Sequence, residues 1–205
     1  MTDVDPLLKY REQHKHRLNY MPWLYWSLKP KNRGWAEAWQ KDYQAYLMEM
    51  ETVEIGENCF ISPLAHIFAE PGRKIIIGDN TFIAADCTLH GPLDIGNEVA
   101  INHHCILDGG RVGIKLHDQV RIAAYSHLYA FDHGMDLEHP IYQQAVTSKG
   151  IEIGQDVWLG AHVGIKDGVT IGDHAVIGMN SMVTKDIDKH AIVAGNPARL
   201  IRYRK

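Results

Sequence analysis

The most regular feature of this chain is an aliphatic residue at every sixth position. Two series run without interruption. The first is Ile77, Ile83, Leu89, Ile95, Ile101 and Leu107, and the second is Ile153, Leu159, Ile165, Ile171, Ile177 and Val183. Shorter series in a shifted register lie elsewhere in the chain. Because Ile, Leu and Val make up 48 of the 205 residues, six successive matches by chance have a probability on the order of one in ten thousand. The repeat is therefore real, and its period is six.

A period of six is neither that of an α-helix nor that of a simple strand alternation. It predicts a short strand, a tight turn that glycine tolerates, and another short strand. Three such units close a triangular coil of 18 residues, and successive coils stack about 4.8 Å apart. Cys87 and Cys105 are one coil apart and are expected to stack as small buried residues. The expected inward column is Ile55, Ile77, Ile95, Leu116, Ile153 and Ile171.

The repeat divides the chain into three parts. Residues 1–52 contain no hexads, and Trp35–Met50 has helical spacing. Residues 53–188 form the predicted β-helix, with breaks after Ile67, Leu107 and Leu128, the last being a long loop at 129–150 of the kind that is usually functional. Residues 189–205 form a C-terminal tail. The aromatic N-terminal stretch is expected to pack on the β-helix or on a neighbouring subunit, with acceptor or membrane-surface binding as the alternative.

Composition narrows the function classes only slightly. The formal net charge of −4 gives no general attraction to nucleic acid or to an anionic membrane. No apolar run approaches the roughly 20 residues that a membrane-spanning helix needs. Three widely spaced cysteines do not indicate a disulfide framework, so a reducing cytoplasm is the simplest setting.

The C-terminal half carries a more specific signal. VWLG, VTKDI and AGNPARLIR follow the long loop in that order, and together with the hexads over residues 53–205 they resemble the hexapeptide-repeat acetyltransferases of the galactoside and maltose O-acetyltransferase type. The resemblance implies a left-handed parallel β-helix and a homotrimer with active sites between subunits. It also implies acetyl-coenzyme A as co-substrate along the C-terminal coils. The N-terminus lacks the usual acceptor-contacting region, which leaves the acceptor open.

Two residues are candidates for catalysis. In similar enzymes a histidine at the position of His133 is the base, and imidazole suits this task because its ordinary pKa is about 6.5. Asn102 corresponds to an asparagine that lies in the cleft, where an amide can orient the acceptor or stabilise the developing oxyanion. His127 and His139 are nearby competitors. His103, beside Asn102, is expected to project from the strand in the opposite direction to His104.

The donor requires cations for its phosphates and a surface for its pantetheine arm. Arginine offers a forked geometry that suits phosphate, and the family's cofactor-side tryptophan corresponds to Trp158. The predicted cofactor-binding residues are Trp158, Gly160, Ala161, Thr184, Lys185, Arg199 and Arg202.

The resulting hypothesis is transfer of an acetyl group to a hydroxyl of a small acceptor, on resemblance a sugar, without a metal. An amine acceptor is the first alternative. A gamma-type carbonic anhydrase is suggested by thirteen histidines, but its closely spaced His-x4-His pair is absent. A non-catalytic trimeric scaffold is the binding-module alternative.

Overall fold

The computed structural model describes residues 6–205, so that the first five residues of the predicted N-terminal segment lie outside the description. Helix α1 (Pro6–Tyr20) and helix α2 (Pro30–Met50) are joined through a 3₁₀ turn at Pro22–Leu24. A second 3₁₀ turn lies at Ile141–Gln143. Within residues 6–205 no helix has both the length and the apolar character needed to cross a membrane.

The rest of the chain is built almost entirely from very short strands. They are β1 Val53–Ile55, β2 Phe60–Ile61, β3 His66–Phe68, β4 Ile75–Ile77, β5 Phe82–Ile83, β6 Thr88–His90, β7 Leu93–Ile95, β8 Ala100–Ile101, β9 Ile106–Asp108, β10 Ile114–Leu116, β11 Arg121–Ile122, β12 His127–Tyr129, β13 Asp132–His133, β14 Val146–Thr147, β15 Ile151–Ile153, β16 Trp158–Leu159, β17 Gly164–Ile165, β18 Thr170–Ile171, β19 Val176–Ile177, β20 Met182–Val183, β21 Ala191–Ala194 and β22 Arg199–Tyr203.

Successive strands contribute in turn to three parallel sheets that enclose one core. Sheet A contains β1, β4, β7, β10, β15 and β18; sheet B contains β2, β5, β8, β11, β16, β19 and β21, with β22 added antiparallel; sheet C contains β3, β6, β9, β12, β17 and β20. The predicted inward column is confirmed residue by residue in the register of sheet A. Cys87 and Cys105 are both fully buried free thiols, as expected for stacked core residues.

A glycine follows many of the inward aliphatic residues. The sequence analysis attributed it to the tight turn, but the structure shows that it is required for another reason. Gly78 does not adopt a positive φ; Asn80, two residues later, does, at 54°. A Cβ atom at Gly78 would lie 2.7 Å from the carbonyl carbon of Gly96 in the next coil. Glycine is needed because the coils approach each other closely, whereas a polar residue accepts the left-handed turn conformation.

The two helices cover the first half of the outer face of sheet B. Phe60, Phe82 and Ala100 point outward from this sheet in register and are nevertheless buried, because Leu18 and Tyr25 of the N-terminal segment pack over them. The aromatic segment therefore packs on the β-helix. The later strands of sheet B are not covered by the helices. Their outward-facing residues lie in one row, in which Arg121 and Trp158 are exposed and Val176 and Ile192 are half-buried.

Three corners join the sheets, and the insertions fall on one of them. The corner between sheets B and C, called the B/C corner, has no insertion. In the third coil it consists of residues 102–105, between β8 and β9. The C/A corner, which follows sheet C, carries the insertions at 69–74, 109–113 and 130–150. In the longest insertion β13 and β14 form an antiparallel pair, and the Gln144 side chain donates hydrogen bonds to the carbonyls of Asp136 (2.8 Å) and His139 (2.7 Å). The long loop is thus an ordered hairpin.

Candidate active site

Asn102 lies at the B/C corner, immediately after β8. Its backbone N–H and its Nδ2 both donate to the carbonyl of Ile122, at 3.0 and 2.8 Å. These two bonds fix the direction of the side chain. Within residues 6–205 nothing donates to its Oδ1, which is therefore available to a ligand.

Gly160 and Ala161 lie at the same corner as Asn102. In the intervening coil the N–H of Ala123 donates to Leu159, just before Gly160, so that Gly160 is two coils, or about 10 Å, along the corner from Asn102. A Cβ atom at Gly160 would lie 2.6 Å from the Met179 nitrogen. Since glycine is needed there for coil stacking, Gly160 offers no side chain to a ligand, and its buried N–H and carbonyl are bonded to the Ile177 carbonyl and the Ser126 hydroxyl.

His133 is exposed on β13 of the hairpin at the C/A corner. Its backbone faces Val146, and its ring lies 6.4 Å from that of Phe131. An ion pair between Asp132 and Lys166 (3.2 Å) ties this strand to the next coil. Asn102 and His133 thus leave the solenoid at different corners, and no described contact joins them within one chain.

The two competing histidines differ in position from His133. His127 points outward from sheet C at the start of β12, and its ring lies 6.5 Å from that of Tyr129. His139 lies farther along the hairpin, and its carbonyl accepts a hydrogen bond from Gln144.

The remaining predicted cofactor residues fall into two clefts. Trp158 and Arg202 line an open groove of about 670 Å³ on the outer face of sheet B, where Val176 and Ile192 lie between them in register. Trp158 is 54% exposed. A second cleft, of about 360 Å³ at the C-terminal end of the solenoid, is lined by Thr184, Lys185 and Arg199.

The arginines in these clefts are free to meet a phosphorylated ligand, while Asp186 and Asp188, which also line the second cleft, accept hydrogen bonds from the Thr170 N–H and the Tyr203 hydroxyl. The guanidinium of Arg199 donates only to the Ala198 carbonyl (3.0 Å), and that of Arg202 only to the Tyr203 carbonyl (3.3 Å), so that neither has an acidic partner among residues 6–205. Arg204 differs, because it pairs with Asp156 at 3.1 Å. A hydrogen bond with His174 is the main reason why the pKa of Asp156 is lowered, and Arg204 adds to the effect. Two unpaired guanidiniums and an exposed indole fit coenzyme A.

A cluster beside Asn102 was missed by the sequence analysis. His103 and His104 do not project in opposite directions from a strand; both lie in the turn, with ring centroids 5.2 Å apart and Nδ1 atoms 3.3 Å apart. The expectation was wrong because β8 ends at Ile101 and His104 adopts a φ of 61°. The sequence does contain one signal of this cluster: Asp86 and His104 are 18 residues apart, which is the length of one coil and places them at the same corner.

Between residues 6 and 205 no group of three or more His, Cys, Asp or Glu side chains is arranged to hold a metal ion.

Sequence comparison places this chain among transferases. The profile of the bacterial transferase hexapeptide family (six repeats) matches residues 150–185. A Staphylococcus aureus protein named as an acetyltransferase is 32% identical over 84% of this chain and 90% of its own length. The galactoside O-acetyltransferase of Escherichia coli is 33% identical over 72% of this chain, and the match spans 62% of that enzyme. For an acetyltransferase-named protein of Mycobacterium tuberculosis the match spans 44% of the relative.

Solved structures agree in fold. AntD, an N-acyltransferase from Bacillus cereus solved with dTDP and coenzyme A, superposes with a TM-score of 0.70 at 30% identity, over 79% of this chain and 89% of AntD. A hexapeptide-repeat acetyltransferase of Vibrio cholerae, complexed with acetyl coenzyme A, gives 0.57 at 26% identity over 100% of this chain and 90% of that one. These matches confirm the predicted left-handed parallel β-helix with a helical N-terminal segment.

Proposed function

This chain belongs to the hexapeptide-repeat acetyltransferases, and on that premise we propose that it transfers an acetyl group from acetyl-coenzyme A to a hydroxyl of a small carbohydrate acceptor. The observation that carries the proposal is the pair of guanidiniums of Arg199 and Arg202, which lack acidic partners among the described residues and lie in clefts beside Lys185 and Trp158. Cations without partners at these positions have no core to stabilise, and phosphate is their natural ligand.

The proposed chemistry is direct transfer between two bound substrates. His133 takes the acceptor's hydroxyl proton as the new C–O bond forms, and it returns the proton to the sulfur as the C–S bond breaks. Asn102, held by its bond to Ile122, orients the acceptor with its free Oδ1 or donates its remaining amide hydrogen to the acyl oxygen.

We further propose that the active site is completed by a second copy of the chain in a homotrimer. The positions of Asn102 and His133 at two different corners support this arrangement, because a neighbouring copy can bring its C/A hairpin against the B/C corner. Exposed apolar residues on the hairpin support it as well: Met135, Leu137, Ile141 and Tyr142 all lie open to solvent in one chain.

The acceptor class has two candidates. A sugar hydroxyl is supported by similarity to the galactoside O-acetyltransferase. A sugar amine is supported by AntD, which was solved with dTDP-4-amino-4,6-dideoxyglucose and coenzyme A.

The test is to supply the purified protein with acetyl-coenzyme A and matched panels of sugars and amino sugars, and to follow both free thiol release and the mass of the product. We expect acetylated product with at least one panel, formed at least about a hundredfold more slowly by the His133→Ala variant. Thiol release that is independent of every acceptor and yields no acetylated product would contradict the proposal.

A further inference from the structure

The hairpin that carries His133 is tied to the solenoid at its base, and Ser148 makes the first tie. The Ser148 hydroxyl donates to the Ala130 carbonyl at 2.6 Å, and it accepts hydrogen bonds from the N–H groups of Arg111 (3.0 Å) and Val112 (3.1 Å). Ala130 begins the hairpin, whereas Arg111 and Val112 belong to the insertion of the preceding coil. One half-buried hydroxyl therefore joins both ends of the hairpin to the neighbouring coil.

Asp167 makes the second tie, from the following coil. Its carboxylate accepts the Lys149 N–H at both oxygens (2.9 and 3.0 Å) and the Gly150 N–H at Oδ1 (2.9 Å). Asp167 is 8% exposed, and among residues 6–205 it is the only Asp, Glu, Lys or Arg that is buried. A buried carboxylate is costly unless its oxygens are hydrogen-bonded, and the N–H groups that satisfy this one belong to the two residues that end the hairpin.

A third tie lies next to His133 itself. Asp132, the other residue of β13, pairs with Lys166, the neighbour of Asp167, at 3.2 Å. Successive side chains of a strand point to opposite sides, so Asp132 faces the solenoid while His133 is turned away from it and is exposed. Both side chains of the ion pair are partly exposed, and such a pair contributes little on its own. Ser148 and Asp167 therefore carry most of the anchoring.

The path from this anchored base to His133 is short. His133 faces Val146 across the β13–β14 pair, and Val146 precedes Ser148 by two residues. Because the two strands are hydrogen-bonded to each other, a shift of the base moves the imidazole with it. Proton transfer needs the reacting groups within about 3–3.5 Å of each other, and a misplacement of roughly 1 Å can cost about a hundredfold in rate. The clamp at the base thus bears on catalysis as well as on folding.

We propose that Ser148 and Asp167 are positioning residues for the base of the acyl transfer. They clamp the hairpin to the solenoid as a rigid arm, so that the His133 imidazole meets the acceptor at a fixed place. Neither residue touches a substrate, and each acts through His133. The inference rests on the proposed function and adds to it the two residues that set the geometry of its base.

Steady-state kinetics of two variants tests the clamp. Ser148→Ala removes three hydrogen bonds, and Asp167→Asn sets an amide nitrogen against a main-chain N–H. Each should lower kcat roughly ten- to a hundredfold and leave the KM for acetyl-coenzyme A unchanged. Thr81→Val is the matched control, because it removes a buried hydroxyl that donates to the Gly96 carbonyl (3.0 Å) and accepts from the Val99 N–H (3.0 Å), far from the hairpin between sheets A and B. This variant should lose stability and keep the wild-type kcat.

Hydrogen–deuterium exchange, followed by mass spectrometry, measures the order of the hairpin without reference to activity. Amides of residues 131–147 should exchange faster in Ser148→Ala and Asp167→Asn than in wild type, because the local opening of the hairpin no longer breaks the clamp. The same amides should keep their wild-type protection in Thr81→Val. Wild-type protection of the hairpin in both clamp variants would overturn the inference.

A double variant separates positioning from stability. Because the clamp acts through His133, Ser148→Ala should have little further effect on kcat in a chain that already carries His133→Ala. Full additivity of the two substitutions would leave Ser148 a purely structural role and overturn the inference. If wild type transfers to no acceptor, the proposed function fails and the positioning role fails with it. If wild type and both clamp variants are equally active, only the inference fails.

Discussion

The side chain of Gln40 in α2 exchanges two hydrogen bonds with the main chain of Ile61 in β2: Nε2 donates to the carbonyl at 3.1 Å, and Oε1 accepts from the N–H at 2.8 Å. Ile61 belongs to the first strand of sheet B, whose outer main-chain groups have no further strand to pair with. Gln40 is only 1% exposed. The glutamine therefore caps the edge of the sheet, which is otherwise open to unwanted strand pairing.

Replacing Gln40 with alanine should lower the free energy of unfolding by about 1–3 kcal/mol, because it leaves two buried main-chain groups without partners. Urea denaturation at fixed protein concentration measures the change. Lys41→Ala, one residue along the helix and exposed, should stay within about 0.5 kcal/mol of wild type. A similar small effect for both variants would contradict the capping role.

The inward column makes a second prediction about stability. Ile77 is 2% exposed in the core, whereas Ile76, its neighbour in β4, is 39% exposed on the outer face. Ile77→Ala should cost about 2–5 kcal/mol through lost burial and a cavity, and Ile76→Ala should cost much less. Equal losses in thermal or urea unfolding would show that the strand faces are assigned wrongly.

His133→Ala should reduce kcat roughly 10²–10⁴-fold, the usual contribution of a general base. The fold should survive, because the residue is exposed on the hairpin and contributes nothing to the core. Steady-state kinetics on the best acceptor, with circular dichroism as the folding control, measures the effect. Near-full activity of the variant would show that His133 is not the base, and His127 and His139 would then be the candidates for that role.

Two inactive variants should complement each other if the active site lies between subunits. Asn102→Ala and His133→Ala subunits, unfolded together and refolded as a one-to-one mixture, should give about one quarter of the wild-type sites with both residues intact. Each variant refolded alone provides the baseline. Activity that stays at the baseline in a mixture shown to contain hybrid trimers would place both residues in the same subunit's site.

The unpaired guanidiniums give a prediction for the donor side. Arg199→Ala and Arg202→Ala should each raise the KM for acetyl-coenzyme A roughly ten- to a hundredfold and largely spare the KM for the acceptor, on the scale of a charged hydrogen bond. Arg11→Ala, exposed on α1, is the control. Calorimetric titration with coenzyme A and its 3′-dephospho form identifies which arginine holds that phosphate. If all variants bound both ligands like wild type, the clefts would not be the donor site.

The donor-side prediction shows how far sequence information reaches into the site. The motifs around Trp158 and Arg202 named residues that prove to line one groove, because the register of sheet B places them in one outward row. The separation of Arg199 into another cleft could not be predicted, since it depends on how the tail folds back as β22. The roles of these residues remain predictions.

The sequence by itself determined the coil. The hexad depends only on neighbouring positions, so the inward column from Ile55 to Ile171 follows from counting along the chain. Asp86 and His104 lie one coil apart for the same reason. After the insertion at 109–113, however, the next corner residue, Tyr125, follows His104 by 21 residues instead of 18, and counting alone no longer identifies it.

Only the tertiary structure decided what surrounds Asn102. Tyr20 reaches Asp86 across 66 positions of sequence because the helices pack on sheet B, and no repeat encodes that contact. Asn102 and His133 likewise lie at different corners, although they are 31 residues apart in sequence and the resemblance to similar enzymes associates them. The physical reason is that a period fixes contacts between successive coils, whereas contacts across corners depend on packing between elements that the period does not relate.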